Sequence, residues 1–268
     1  MTSDAERWLG RLGRFGLAAR GVVYILIGWL ALKIANGHPG QQADRQGALH
    51  ALVSKPFGKI VLIAVAAGFI GYAAWRLADA FLGATQDKKT KWPVRFTKAV
   101  RGLLYVWFAF GASKIAMSNQ GGNSSNQQAH RSSAQLLHLP AGKWIVMLLG
   151  ISFIAAGLYN GVRAVTGKFF KDMKEQQMGE LIKRILRVVG TGGFLARMVA
   201  FGLIGLFYIR SGLARDPNQA IGIDGALKKV LSQSHGGLLL SVVAIGLAAF
   251  GIFSLAQSKY RSTDVEAA

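Results

Sequence analysis

The chain has no cysteine. That removes disulfide scaffolds, iron–sulfur clusters and thiolate zinc sites, because each needs a thiol. Acids are scarce too: 12 Asp and Glu stand against 32 Lys and Arg in 268 residues, a net charge of +20. Charged residues make up 16% of the chain, whereas a soluble domain carries about a quarter. Proline is rare, at 5 residues, which leaves long segments free of helix breaks. What fills the chain instead is apolar, 51% of residues, together with 34 glycines. Disorder is excluded by that hydrophobicity. A charge of +20 suggests a nucleic-acid binder, but the basic residues punctuate long apolar runs and gather on no polar module. The composition excludes nucleic acid as the partner and describes an integral membrane protein.

Six apolar runs approach the ~20 residues a bilayer span needs: about Phe15–Ala35, Phe57–Phe81, Phe96–Met117, Ala141–Val165, Phe194–Leu213 and Gly236–Gln257. None alternates as a barrel strand does, so the fold class is all-α with six transmembrane helices. The first run is longer than the apolar region of a signal peptide, holds Arg20, and ends in Asn36-Gly37-His38-Pro39. It is expected to remain as a span. The N-terminal segment, residues 83–95 and 167–188 and the tail together hold fifteen Lys and Arg, against six in the alternate linkers 37–56, 119–140 and 215–235. By the positive-inside rule both termini are cytoplasmic. Residues 119–135 are rich in Gly, Ser, Asn and Gln and read as flexible. Within them Asn123-Ser124-Ser125 matches a glycosylation sequon, a pattern that chance supplies readily in a polar loop. Residues 170–188 read as a basic amphipathic helix, either touching acidic lipid or merely solvated.

Internal repetition is the strongest signal. Arg20, Arg101 and Arg197 align the first, third and fifth runs. Four residues on stand Tyr24, Tyr105 and Phe201, eight on Gly28, Ala109 and Gly205, thirteen on Lys33, Lys114 and Arg210. The even runs repeat as well. Gly47-Ala48-Leu49 and Gly225-Ala226-Leu227 each stand eleven residues before a second glycine, and Ser133 to Lys143 is a shorter copy. Each of these linkers is expected to fold a short helix on the outer leaflet. The far ends pair Tyr72 with Arg76, Tyr159 with Arg163, and Phe250 with Ser254.

At these residues the chain resembles the bacterial membrane family catalogued as domain of unknown function 1206. The Ala19-Arg20-Gly21-Val22-Val23-Tyr24 start and the Gly47 to Gly58 entry carry the resemblance, with Arg101-Gly102-Leu103-Leu104-Tyr105 in the second copy. The third copy departs, with Met198 after Arg197, Phe201 for the tyrosine and Ser234-His235-Gly236 for Pro-Phe-Gly. The resemblance implies three tandem two-helix units and no activity. It divides one membrane domain, 1–268, into repeats at about 13–83, 94–167 and 190–260, with a cytoplasmic linker at 168–189.

Charges inside the spans are the candidate functional residues. Arg20, Arg101, Arg197, Arg76 and Arg163 fall toward the cytoplasmic side, and Lys33, Lys114 and Arg210 toward the outer interface. Two readings stand. Long stems reach the headgroups by snorkelling, or the arginines ring a central cavity that takes anions or anionic headgroups. Asp79, three residues after Arg76, is a local partner for it. Arg20 and Lys33 lie about 140° apart around their helix, so no straight polar stripe lines a wide pore.

Other chemistry is thin. His38, His50, His130, His138 and His235 all lie in or beside the outer linkers, without metal-ligand spacing. No phosphate-binding loop, dinucleotide fingerprint or nucleophile elbow is complete. We therefore expect no enzyme, no metal and no cofactor. The reading is an inner-membrane scaffold or module that binds lipid or a partner, with anionic headgroups on the cytoplasmic side as its contacts. The alternative is a small channel or transporter, for anions.

Overall fold

A computed structural model describes residues 3–38, 40–53, 58–81, 92–118, 124–170, 173 and 175–260. Those residues are helical almost throughout and form no strand. The long helices are α1 (Ser3–Ala35), α3 (Gly58–Phe81), α4 (Trp92–Ser118), α6 (Gly142–Thr166), α7 (Glu180–Ala214) and α9 (Gly236–Tyr260). The short ones are α2 (Arg45–Val53), α5 (Ser125–Leu137) and α8 (Ile223–Leu231), one in each polar linker. Five segments are long and apolar enough to cross a membrane: Gly10–Ala35, Gly58–Ala78, Gly142–Thr166, Glu180–Ala214 and Gly236–Tyr260. In α4 the apolar stretch among the described residues is shorter, Ala99–Ser113. Outward aliphatic side chains such as Ile60, Leu148, Val165 and Val242 are exposed, which suits acyl chains and not water. These features mark a multi-pass membrane protein.

Two segments differ from their sequence reading. The polar linker is ordered into α5 from Ser125 on. Ser124 Oγ accepts from Gln127 N at 3.2 Å while Gln127 Oε1 accepts from Ser124 N at 3.3 Å, a capping box that starts a helix despite poor composition. Residues 119–123, with Asn123 of the sequon, lie outside the described residues. Instead of an amphipathic helix over 170–188 there are 3₁₀ turns at Lys168–Phe170 and Glu175–Gln177, and then α7 runs unbroken to Ala214. Its glycines at 190 and 193 are contact points, not hinges. A Cβ on Gly190 would stand 2.5 Å from the Phe169 ring, and one on Gly193 2.6 Å from the Phe250 backbone. At 1.5 Å per residue α7 is about 50 Å long, longer than the ~30 Å hydrocarbon core.

The long helices pack in the order α4–α3–α1–α9–α7–α6, each against the next. Lipid is as apolar as leucine, so burial alone gives such helices no reason to associate; close backbone approach does. The repeat supplies it at one register. Gly205 and Gly150 face each other across α7 and α6, each with its would-be Cβ 2.5–2.6 Å from the other's carbonyl oxygen. The matching Gly28 meets Ala244 O at 2.6 Å across α1 and α9. In α4 and α3 the matching positions are Ala109 and Ala66, both buried. A second fixed point is the glycine that opens each even helix. A Cβ on Gly58, Gly142 or Gly236 would run into the carbonyl of Leu52, Leu136 or Leu231. Ala141 and His235, just before the last two, take the left-handed conformation (φ 62° and 59°).

The short helices close one end of the bundle, here called the cap end. Asp44 Oδ2 accepts from Ser125 N at 2.6 Å, Ser125 Oγ from Asp224 N at 3.3 Å, and Asp224 Oδ1 from Ala43 N at 2.9 Å. The three linkers are thus joined in a closed cycle. Asp44 also accepts from Gly47 N at 2.8 Å and Asp224 from Lys228 Nζ at 2.9 Å, so both buried carboxylates are satisfied. At the other end Phe169, Phe194, Phe250 and Phe253 form a buried aromatic cluster, with ring centroids 5.1–5.9 Å apart in the pairs that touch.

Candidate functional site

Within this frame the odd helices each bring an arginine, followed one turn later by an aromatic ring. Arg20 on α1 is satisfied inside the protein. Its Nε donates to Ser254 Oγ at 3.2 Å and its Nη2 to Gln257 Oε1 at 2.7 Å, both acceptors buried on α9. Its guanidinium also lies 5.3 Å from the centre of the Phe250 ring.

Arg197 stands at the midpoint of α7. Its guanidinium lies 4.4 Å over Phe250, 5.1 Å over Phe201 and 5.7 Å over Tyr24. Its Nε is buried and makes no hydrogen bond. Phe250 is ten residues from the last residue of α9, about 15 Å along the axis. The Arg197 head group is therefore deep in the bundle, held by ring faces that each contribute about 0.5–2 kcal/mol toward a cation.

Arg101 on α4 is exposed. The charged and titratable groups acting on it are Arg76, Arg197, Tyr72 and Tyr159. None of these is a carboxylate. Tyr105, one turn along α4, has its ring 4.2 Å from that of Tyr72, and the charges of Arg20 and Arg197 act on it. The arginines of the three repeats thus act on one another's surroundings between the helices.

The even helices end differently. On α3, Arg76 is buried, donates from Nε to Tyr72 OH at 3.2 Å and lies 4.2 Å over Trp75. On α6, Arg163 lies 4.9 Å over Phe194 and 5.9 Å over Tyr159. The matching position of α9 is Ser254, the residue that accepts from Arg20. So the α9–α1 contact sets a neutral acceptor against an arginine, where the α3–α4 contact sets Arg76 against Arg101. The aligned pairs Tyr72/Arg76, Tyr159/Arg163 and Phe250/Ser254 already hold this asymmetry in the sequence, but its meaning needs the packing order. Gln257, three residues on, carries no such signal. The side chain of Asp79 lies outside the described residues, and with it the local partner expected for Arg76.

The sequence profile described as "Domain of Unknown Function (DUF1206)" matches residues 15–83, 97–167 and 192–261. The chain belongs to this family. It is 30% identical over 260 residues to "Uncharacterized protein YxxB" of Bacillus subtilis (strain 168), covering 96% of this chain and 93% of that protein. No solved structure matches the chain. The three copies of the DUF1206 unit each contribute an arginine to the centre just described. At the cap end the family's repeat places further cations. Lys33 Nζ is 4.1 Å over Trp29, and Arg210 is exposed, 5.2 Å over Phe207. The side chain of Lys114 lies outside the described residues.

Proposed function

We propose that this DUF1206 protein is a non-catalytic inner-membrane module of six spans in three hairpins, α4 supplying the sixth, which holds an anionic group at its arginine centre. Both termini and the Phe169 end face the cytoplasm in this reading, since the linkers there carry the excess of Lys and Arg. One observation carries the anion. Arg20 has its acceptors within the protein, while Arg197 keeps a buried Nε without one and Arg101 is exposed on α4. A guanidinium inside a bilayer costs about 2.5–3.5 kcal/mol at the least, and an anion removes most of that cost. At neutral pH arginine stays protonated and tyrosine stays neutral, and neither exchanges protons, which favours binding over acid–base catalysis. The ring faces over Arg197 and the aliphatic flanks of the odd helices favour a held anion over a flowing one.

The test is thermal unfolding of the purified chain in zwitterionic micelles and in micelles doped with an anionic lipid. A ligand at a hundred times its Kd stabilises by about 2.7 kcal/mol, so anionic micelles raise the unfolding temperature of the wild type. The Arg101→Gln/Arg197→Gln double variant loses that rise. An equal rise in the double variant overturns the reading. Selective anion flux in proteoliposomes, lost in the double variant, replaces it with a channel.

A further inference from the structure

The row of packed helices is open on one side. In the first and third repeats the two long helices pack on each other, α1 on α3 and α7 on α9, whereas among the described residues the matching pair α4 and α6 shows no interface of that extent. Two polar groups flank this seam. Arg101 on α4 is exposed and Tyr159 on α6 is 55% exposed. Arg76 and Arg197 are the cations whose charge acts on Arg101, and Arg197 keeps an unsatisfied buried Nε.

Depth narrows the ligand. Arg101 lies in the half of α4 (Trp92–Ser118) away from the cap, and a long guanidinium stem there reaches a headgroup phosphate by snorkelling. Leu104 and Trp107 on α4, with Leu158 and Val162 on α6, leave exposed apolar surface on the two helices that bound the opening. The cap end is closed by the Asp44–Ser125–Asp224 cycle, so the open approach is sideways, from the bilayer.

We infer that the α4–α6 seam is the entry and seat of an anionic phospholipid of the cytoplasmic leaflet. Its phosphate sits on Arg101 with Arg197 behind it, and its acyl chains lie along α4 and α6. This rests on the anion-holding reading proposed above and names its ligand. A guanidinium offers a phosphate two parallel N–H donors, the geometry in which charge-assisted bonds are strongest. A zwitterionic lipid has the same phosphate but brings a quaternary cation up to Arg76, Arg101 and Arg197, so the site selects for net negative charge.

The experiment is native mass spectrometry of the full chain from detergent mixed with equal amounts of phosphatidylglycerol and phosphatidylcholine. The wild type retains phosphatidylglycerol preferentially. Arg101→Gln weakens retention at least about tenfold, the loss expected for a charged hydrogen bond. Arg101→Lys restores part of it, which a misfolded variant does not do, and Arg210→Gln at the cap end leaves it unchanged. If Arg101→Gln retains the lipid like the wild type while Arg197→Gln loses it, the anion sits in the centre, and the seam is refuted while the anion-holding reading stands. If inorganic phosphate raises the unfolding temperature as much as phosphatidylglycerol does, the ligand is a soluble anion and the lipid is refuted. No preference for phosphatidylglycerol, together with no stabilisation by anionic micelles, overturns both proposals.

Discussion

Asp44→Ala removes the acceptor for two backbone donors, Ser125 N at 2.6 Å and Gly47 N at 2.8 Å, at a residue with no solvent exposure. Hydrogen bonds to a charged group contribute about 1.5–3 kcal/mol each. With the lower figure for each bond, because donors at the cap end regain some water, the loss is about 3 kcal/mol. For a chain of this size about 1 kcal/mol moves the unfolding temperature by about 2–4 °C, so Asp44→Ala unfolds about 6–12 °C below the wild type in detergent. Asp44→Asn keeps one acceptor oxygen and loses roughly half as much. The control is Asp216→Ala, whose carboxylate caps an exposed turn through Asn218 N at 2.9 Å and joins no other linker; it costs about 1 kcal/mol or less. A sharper form is the double-mutant cycle with Asp224→Ala. If the three linkers share one closed cycle, the second break costs less than the first, with a coupling of about 0.5–3 kcal/mol. Strict additivity, or an Asp44→Ala no worse than Asp216→Ala, refutes the cycle as a cooperative unit.

Gly205→Ala places a Cβ 2.5 Å from Gly150 O, a backbone atom that cannot swing aside; overpacking there costs about 1–3 kcal/mol, read as a lower unfolding temperature, while Gly202→Ala, which meets nothing within 4 Å, does not. Arg45 lies 3.7 Å over the Phe108 ring with a buried Nε that makes no hydrogen bond, and burial pushes its guanidinium down to about 10 against the pull of Asp44. Below pH about 10 the native and unfolded states are both charged and the burial cost is felt in full. As pH rises through about 10 the native state sheds its proton before the unfolded chain does, and the cost fades. The wild type therefore gains stability relative to Arg45→Met between pH 9 and 11, measured as the difference in unfolding temperature of the pair.

The long apolar runs and the family were legible because composition, length and repeat spacing act locally. The arginine register was legible for the same reason, since Arg20, Arg101 and Arg197 recur with an aromatic ring four residues on. What those arginines meet was not. Arg20 is 234 and 237 residues away from Ser254 and Gln257, and Asp44 is 81 from Ser125. No window along the chain connects them. The polar stretch from Ser124 looked flexible because composition outweighed a capping box that was present in the sequence. The unbroken α7 was not legible, because the fifth apolar run begins only at Phe194, and the need of Phe169 and Phe250 for the space at Gly190 and Gly193 shows only in the packing.

The contact between α1 and α9 joins the first and third repeats without a covalent link, yet it matches the α6–α7 contact in register, Gly28 with Ala244 as Gly205 with Gly150. Chain connectivity is then incidental to which repeat is counted first. Because Gly28 meets Ala244 and Gly21 meets Gly251, the two helices run antiparallel and the start of α1 lies toward the end of α9, so a short tether could splice α9 to α1 while the chain is opened between α6 and α7. Such a circular permutant keeps every interface described, and its arginines arrive in a different order along the polypeptide at the same places in space.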